Sequence, residues 1–201
     1  MTKILVAYAT MAGSTAEVAQ AVGEEIANSG AQVDVLPLSD VKEPGSYDGV
    51  VVGAPMIMGW HREATRFLKR HRKAFQRTPL AVFVTAMSLT KTPEMSVGDV
   101  PVSVDETLPK PPAREGRLSF RERYALLSNY LRPILAATHP ARPLSIGVFG
   151  GRLEYGRLKW WAVLFAMLIV QAPPGEKRNW PAIREWAAGL PAAFQANQNP
   201  G

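Results

Sequence analysis

The chain has 201 residues, 47% of them hydrophobic, no cysteine and a formal net charge of +6. That length supports one α/β domain with its own core, and the composition excludes a disordered chain. Without cysteine there are no disulfides or thiolate metal sites, and the three histidines, His61, His71 and His139, show no ligand spacing, so no metal is expected.

The lack of cysteine points to a cytoplasmic protein. The opening residues lack the basic and long apolar regions of a signal peptide, and no run reaches about 18 apolar residues, so a spanning helix is not expected. The positive charge fits an acidic partner, an anionic membrane surface or nothing specific. No motif of a nucleic-acid reader is present.

The first apolar run, Ile4 to Ala9, reads as a strand buried on both faces. A short loop of small and hydroxyl residues follows, and then Val18, Ala19, Val22 and Ile26 recur at helical spacing up to Asn28-Ser29-Gly30. Gln32 to Leu36 alternates as a strand near a sheet edge, and Pro44-Gly45 marks a turn. Gly49 to Gly53 is a second buried strand, with a loop from Ala54 to Trp60 behind it. Ala64, Phe67, Leu68, His71 and Phe75 then mark a helix whose other face is Arg and Lys, and Leu80 to Thr85 is the next strand.

Residues 90–117 are rich in Pro, Ser, Thr and Glu and read as a long irregular insertion. Leu118 to Ala137 returns to helix, with Pro133 expected to kink it or to start a second helix. Leu144 to Phe149 is the last central strand, broken by Gly150-Gly151. Leu158 to Ala172 is apolar almost all round, inside a second, apolar helical insertion at about 152–178. Asn179 caps a final helix with Pro181 in its first turn and Ile183, Trp186 and Leu190 facing inward. Residues 1–201 are read as a single domain.

Buried strands alternating with helices predict a parallel sheet wrapped on both sides, with ligands bound at the carboxyl ends of its strands. Three loops leave such ends, at 10–15, 54–60 and 85–89. The first reads Thr10-Met11-Ala12-Gly13-Ser14-Thr15. Hydroxyls and backbone amides gathered at the positive end of a helix suit an anion, and a phosphate most of all. It is not a P-loop, since no Gly-Lys-Ser/Thr follows the glycine. The competing reading is an ordinary N-capped turn.

With the three loops placed, the sequence resembles the flavodoxin family, whose first loop reads T-x-T-G-x-T. The resemblance implies a doubly wound five-stranded parallel sheet of order 2-1-3-4-5 and FMN as cofactor. It implies that Thr10, Met11, Ala12, Gly13, Ser14 and Thr15 wrap the FMN phosphate, with Ala12 standing where the family has a threonine. It also implies that Trp60 stacks on the flavin ring while Pro55, Met56, Ile57, Met58 and Gly59 supply backbone contacts. Thr85, Ala86, Met87 and Ser88 would meet the pyrimidine end, where this chain lacks the tyrosine that many flavodoxins place there.

Gly53-Ala54, Gly59, His61, Gly150-Gly151-Arg152-Leu153 and Tyr155, the Trp160-Trp161 region and Gly175-Glu176 are similar to the flavodoxin-domain proteins grouped with menaquinone-dependent protoporphyrinogen oxidase. That likeness implies an FMN-dependent oxidoreductase with a small-molecule electron donor and a quinone acceptor. No side chain stands out as a catalytic acid or base. The alternatives are a non-enzymatic electron carrier and a shell that has lost its flavin. The charge of +6 disfavours a shuttle to basic partners. The stretch 158–172 reads either as a peripheral membrane contact or as a helix packed within the protein or a dimer. Glu17, Glu24 and Glu25 read as a solvated helix face.

Overall fold

The computed structural model describes residues 2–56, 59–92, 100–114, 116–153 and 175–198. The apolar runs form strands β1 (Lys3–Tyr8), β2 (Gln32–Pro37), β3 (Gly49–Pro55) and β4 (Leu80–Ala86). Helices α1 (Ser14–Ala27) and α2 (Arg62–His71) lie between them. Short strands β5 (Leu89–Thr90), β6 (Val102–Val104) and β7 (Pro109–Lys110) follow, then helices α3 (Phe120–Tyr124) and α4 (Leu127–Thr138). Strand β8 (Ser145–Gly150), the hairpin strands β9 (Arg152–Leu153) and β10 (Gly175–Glu176), and helix α5 (Trp180–Gln198) complete the described chain.

The central sheet has six strands in the order β2-β1-β3-β4-β8-β6, and every pairing is parallel. This corrects the expected five-stranded 2-1-3-4-5 sheet. The sixth strand comes from within the segment read as irregular: Val102 and Val104 pair with Ile146 and Val148 and extend the sheet beyond β8. Three residues hemmed by Pro101 and Asp105 are too short to show a period in the sequence. Leu89-Thr90 and Pro109-Lys110 form a separate two-stranded pair.

Side chains of the sheet alternate between two cores, as strand geometry requires. Leu5, Ala7, Val50, Val52, Val82, Val84 and Val148 meet α2 and α4. Ile4, Val6, Val51, Ala81, Phe83 and Phe149 meet α1 and α5. Burial on both faces explains why the strands read as continuous apolar runs.

The helix expected from Leu118 to Ala137 is two helices. Ser119 and Glu122 make a reciprocal capping box at the start of α3, and the chain breaks at Ala125-Leu126 before α4. Pro133 lies inside α4 and starts no helix. Asn179 caps α5 as expected, accepting from the Ala182 amide. Glu17 pairs with Arg178, and Glu24 and Glu25 pair with Arg184, so the acidic side of α1 is tied to the end of the chain rather than merely solvated. The apolar stretch 158–172 and Tyr155 lie outside the described residues. Among the described residues no helix is long and apolar enough to cross a membrane.

Candidate functional site

Backbone hydrogen bonds continue the sheet past the strand ends and hold the loops in step. The Ala9 amide donates to Gly53 O, Met56 to Thr85 O and Gly151 to Ala86 O, each at 2.9 Å. A small cleft opens at this edge, with about 410 Å³ of empty space counting the solvent at its mouth. Larger clefts lie elsewhere; one of them, beside Arg77 and Arg142, sits at the opposite end of the sheet, where β4 and β8 begin.

The first loop supplies Thr10, Met11, Ala12, Ser14 and Thr15 to the wall. Gly13 does not line the cavity but forms its turn: at φ 90° it takes the left-handed conformation that glycine adopts without strain. The helix's internal hydrogen bonds begin with Ala16 and Glu17 donating to Gly13 O, which places the Ser14 and Thr15 amides ahead of the ladder, in the first turn of α1.

Each hydroxyl of this loop is already oriented. Thr10 Oγ1 accepts from the Gly13 amide at 2.9 Å, and Ser14 Oγ accepts from the Arg152 amide at 2.9 Å. Both therefore keep an O–H proton to donate. Thr15 Oγ1 and Thr85 Oγ1 share a 2.9 Å hydrogen bond, with both residues almost fully buried. That bond joins the first loop to the end of β4.

Pro55 and Met56 come from the second loop, and Thr85, Ala86 and Met87 from the third. Gly59 and Ser88 stand outside the wall, held from behind. The Gly59 amide donates to the Tyr124 hydroxyl at 2.6 Å, and the Tyr130 hydroxyl donates to Ser88 O at 2.7 Å. Burial pushes both phenols above their ordinary range, so each stays protonated. Ile57 and Met58 lie outside the described residues.

Trp60 is not a wall of the cavity. It is 5% exposed, packs in the core with α2 and α4, and bridges to Met56. Its Nε1 and the Nδ1 of neighbouring His61 are buried without a hydrogen-bond partner among the described residues.

Sequence reasoning missed a fourth segment. Gly151 and Arg152, just past β8, line the cavity. Gly150-Gly151 reads as a strand break, and the carboxyl-end rule applied to that strand as well would have found them. A Cβ on Gly150 would lie 1.8 Å from Lys177 O, so only glycine lets residues 175–178 close over this end of the sheet. There the Lys177 amide donates to Gly151 O, and Lys177 Nζ donates to Met87 O at 2.8 Å. Burial first, and Lys110 second, lower the pKa of this ammonium. The cavity wall thus holds one cation, three hydroxyl residues of the first loop and no carboxylate.

Residues 5–178 match the family model described as "Flavodoxin domain". The chain belongs to that family. This flavodoxin-domain chain is 27% identical over 177 residues to "Protoporphyrinogen IX dehydrogenase [quinone]" of Escherichia coli K12, covering 87% of this chain and 82% of that protein. Among solved structures it is similar to two-electron reduced Megasphaera elsdenii flavodoxin, with a TM-score of 0.52 and 12% identity over 96% of this chain and 99% of the other. It is also similar to a flavodoxin from the domain Archaea, with a TM-score of 0.51 and 10% identity over 96% and 99% of the two chains. The structural likenesses speak for the fold alone.

Proposed function

We propose that the protein binds FMN at the carboxyl edge of its sheet and works as a quinone-linked oxidoreductase. The observation that carries the cofactor is the donor set of the first loop. Thr10 and Ser14 hydroxyls have their acceptor side filled by backbone amides, which leaves their protons for an anion. A phosphate there would also meet the positive end of α1 and the cation of Arg152, with no carboxylate among the residues that line the cavity.

The residues present fit the phosphate end of FMN. Thr10, Ser14 and Thr15 would hold it, and the carboxyl-end loops at Pro55-Met56 and Thr85 to Met87 would flank the ring. The bound flavin supplies the redox chemistry. This chain's part is to bind and orient it: Thr15 and Thr85 lock two loops together, while Tyr124 and Tyr130 fix the backbone of the Gly59 and Ser88 loops. Trp60 would have to leave its core position to stack on a ring, so no such role is given to it. The name of the Escherichia coli relative supports a porphyrinogen donor and a quinone acceptor.

The test is a comparison of FMN with riboflavin, which lacks the phosphate. FMN is expected to bind with a perturbed visible spectrum and to raise the melting temperature, while riboflavin binds at least tenfold more weakly. Equal affinity for the two would sink the phosphate reading. Turnover of a porphyrinogen with a quinone then distinguishes an enzyme from an electron carrier.

A further inference from the structure

We propose that the outer face of α2 seats this protein on an anionic lipid surface, with the exposed Phe120 as a second contact. The charge distribution points there. Residues 62–77 hold seven of the chain's 23 Lys and Arg, namely Arg62, Arg66, Lys69, Arg70, Arg72, Lys73 and Arg77, against one acid, Glu63. The other 185 residues carry 16 basic and 16 acidic side chains and cancel. The whole net charge of +6 therefore sits on one helix and the turn after it.

These seven side chains are exposed. None makes an ion pair among the described residues, although acids elsewhere in the fold do find cations, as Glu17, Glu24 and Glu25 do. The buried side of α2, Ala64, Phe67 and Leu68, anchors the helix and leaves only polar residues outward. Stable protein interfaces centre on buried aromatic or apolar anchors, and this face has none. A spread of long, unpaired cations suits a diffuse negative surface instead.

Phe120, on a different helix, is a separate exposed feature. It is the exposed large hydrophobic residue among those described, 66% accessible, and stands at the start of α3 with Arg121 and Arg123. Helix α3 lies against the residues that lead into α2, since its Tyr124 hydroxyl holds the Gly59 amide. An exposed phenyl ring flanked by arginines is a side-chain set that an interfacial contact uses. The seat stands without the cofactor reading.

Co-sedimentation with vesicles tests it, using phosphatidylcholine alone and phosphatidylcholine with about one-third phosphatidylglycerol. The full chain is expected to bind only the anionic vesicles and to be released at about 0.5 M salt. Arg66→Glu, Arg70→Glu and Lys73→Glu together should lower partitioning more than about tenfold, and Phe120→Ser several-fold, with melting temperature and FMN affinity unchanged. Binding that survives the triple reversal would place the contact elsewhere and overturn the proposal. Failure to bind anionic vesicles would overturn it too, leaving an acidic protein as the occupant of this face. Measured with and without FMN, vesicle binding can fail or succeed independently of the cofactor.

Discussion

Thr15 does two things with one oxygen. It bonds to Thr85 inside the protein and faces the cavity from the first turn of α1. Thr15→Val keeps the shape but leaves the Thr85 hydroxyl buried without its partner, so a loss of about 1–3 kcal/mol of stability is expected together with weaker FMN binding. Thr10 is exposed, and Thr10→Ala should weaken FMN binding while leaving the urea midpoint where it was. His61 carries a pH effect. Burial lowers its pKa, against the opposing charge of Glu63, so the folded protein holds the neutral ring. Below about pH 6.5 the unfolded chain binds a proton that the folded chain refuses. Stability from this group is complete above that pH and falls as the pH drops towards the lowered value. His71 shifts the same way, burial first and Arg70 second. Urea midpoints at pH 7.5 and 5.5 should therefore differ, and His61→Gln should shrink the difference. At this scale the first loop stood out because it gathers hydroxyls and amides at the start of a helix, although an ordinary N-capped turn reads the same way. The place of Trp60 was not, because an aromatic residue in a loop carries no mark of which way it packs. Nor were Tyr124 and Tyr130, whose partners lie 65 and 42 residues away in the chain.

The long buried strands were readable as elements because each hides both faces and so is built almost wholly of apolar residues. β6 was hidden by its brevity and its partly exposed edge position. The break between α3 and α4 has no proline or glycine to announce it, yet Ser119 and Glu122 at capping-box spacing stood in the sequence as a start signal. Glu122 also accepts from the Ala113 amide; these backbone and Ser119 contacts hold its carboxyl below the usual range. Ser119→Ala should cost about 1 kcal/mol, felt as faster amide exchange in α3 rather than as a global change. The segment 175–178 closes the site only because Gly150 is bare. Gly150→Ala would drive a methyl into Lys177 O. The segment must move away, and with it the Lys177 bonds to Gly151 and Met87. Overpacking of this kind costs about 1–3 kcal/mol. Because the displaced contacts border the cavity, FMN affinity should fall with it, and titration of the variant checks both effects.

The family match ends at residue 178, but the fold does not. One core of the sheet is closed by α1 and α5 together, and α5 supplies Ile183, Trp186, Leu190 and Phe194 to it. Trp186 crosses the rings of Phe83 and Phe149 edge-on, and its Nε1 donates to Ser145 Oγ at 2.8 Å. Arg184 reaches Glu24 and Glu25 of α1, and Gln198 Nε2 donates to Asp48 O at 2.6 Å beside the start of β3. Asn179, which caps this helix, also donates to the buried carboxylate of Asp105 at 3.0 Å, next to β6. Burying a side chain of this size contributes about 1.5–3 kcal/mol. Four of them together reach the whole stability of an ordinary domain, about 5–15 kcal/mol. A chain cut after residue 178 would bare Ile4, Val6, Val51 and Phe83 on one side of the sheet, in strands that cannot hide them elsewhere. It should show no cooperative urea transition and no FMN binding, even though it retains every residue of the cavity and of the family match. Phe194→Ala in the full chain is the graded version: about 3–5 kcal/mol lost, with FMN affinity preserved once the protein is folded. A truncated chain that melts cooperatively would show instead that α1 alone can close this face.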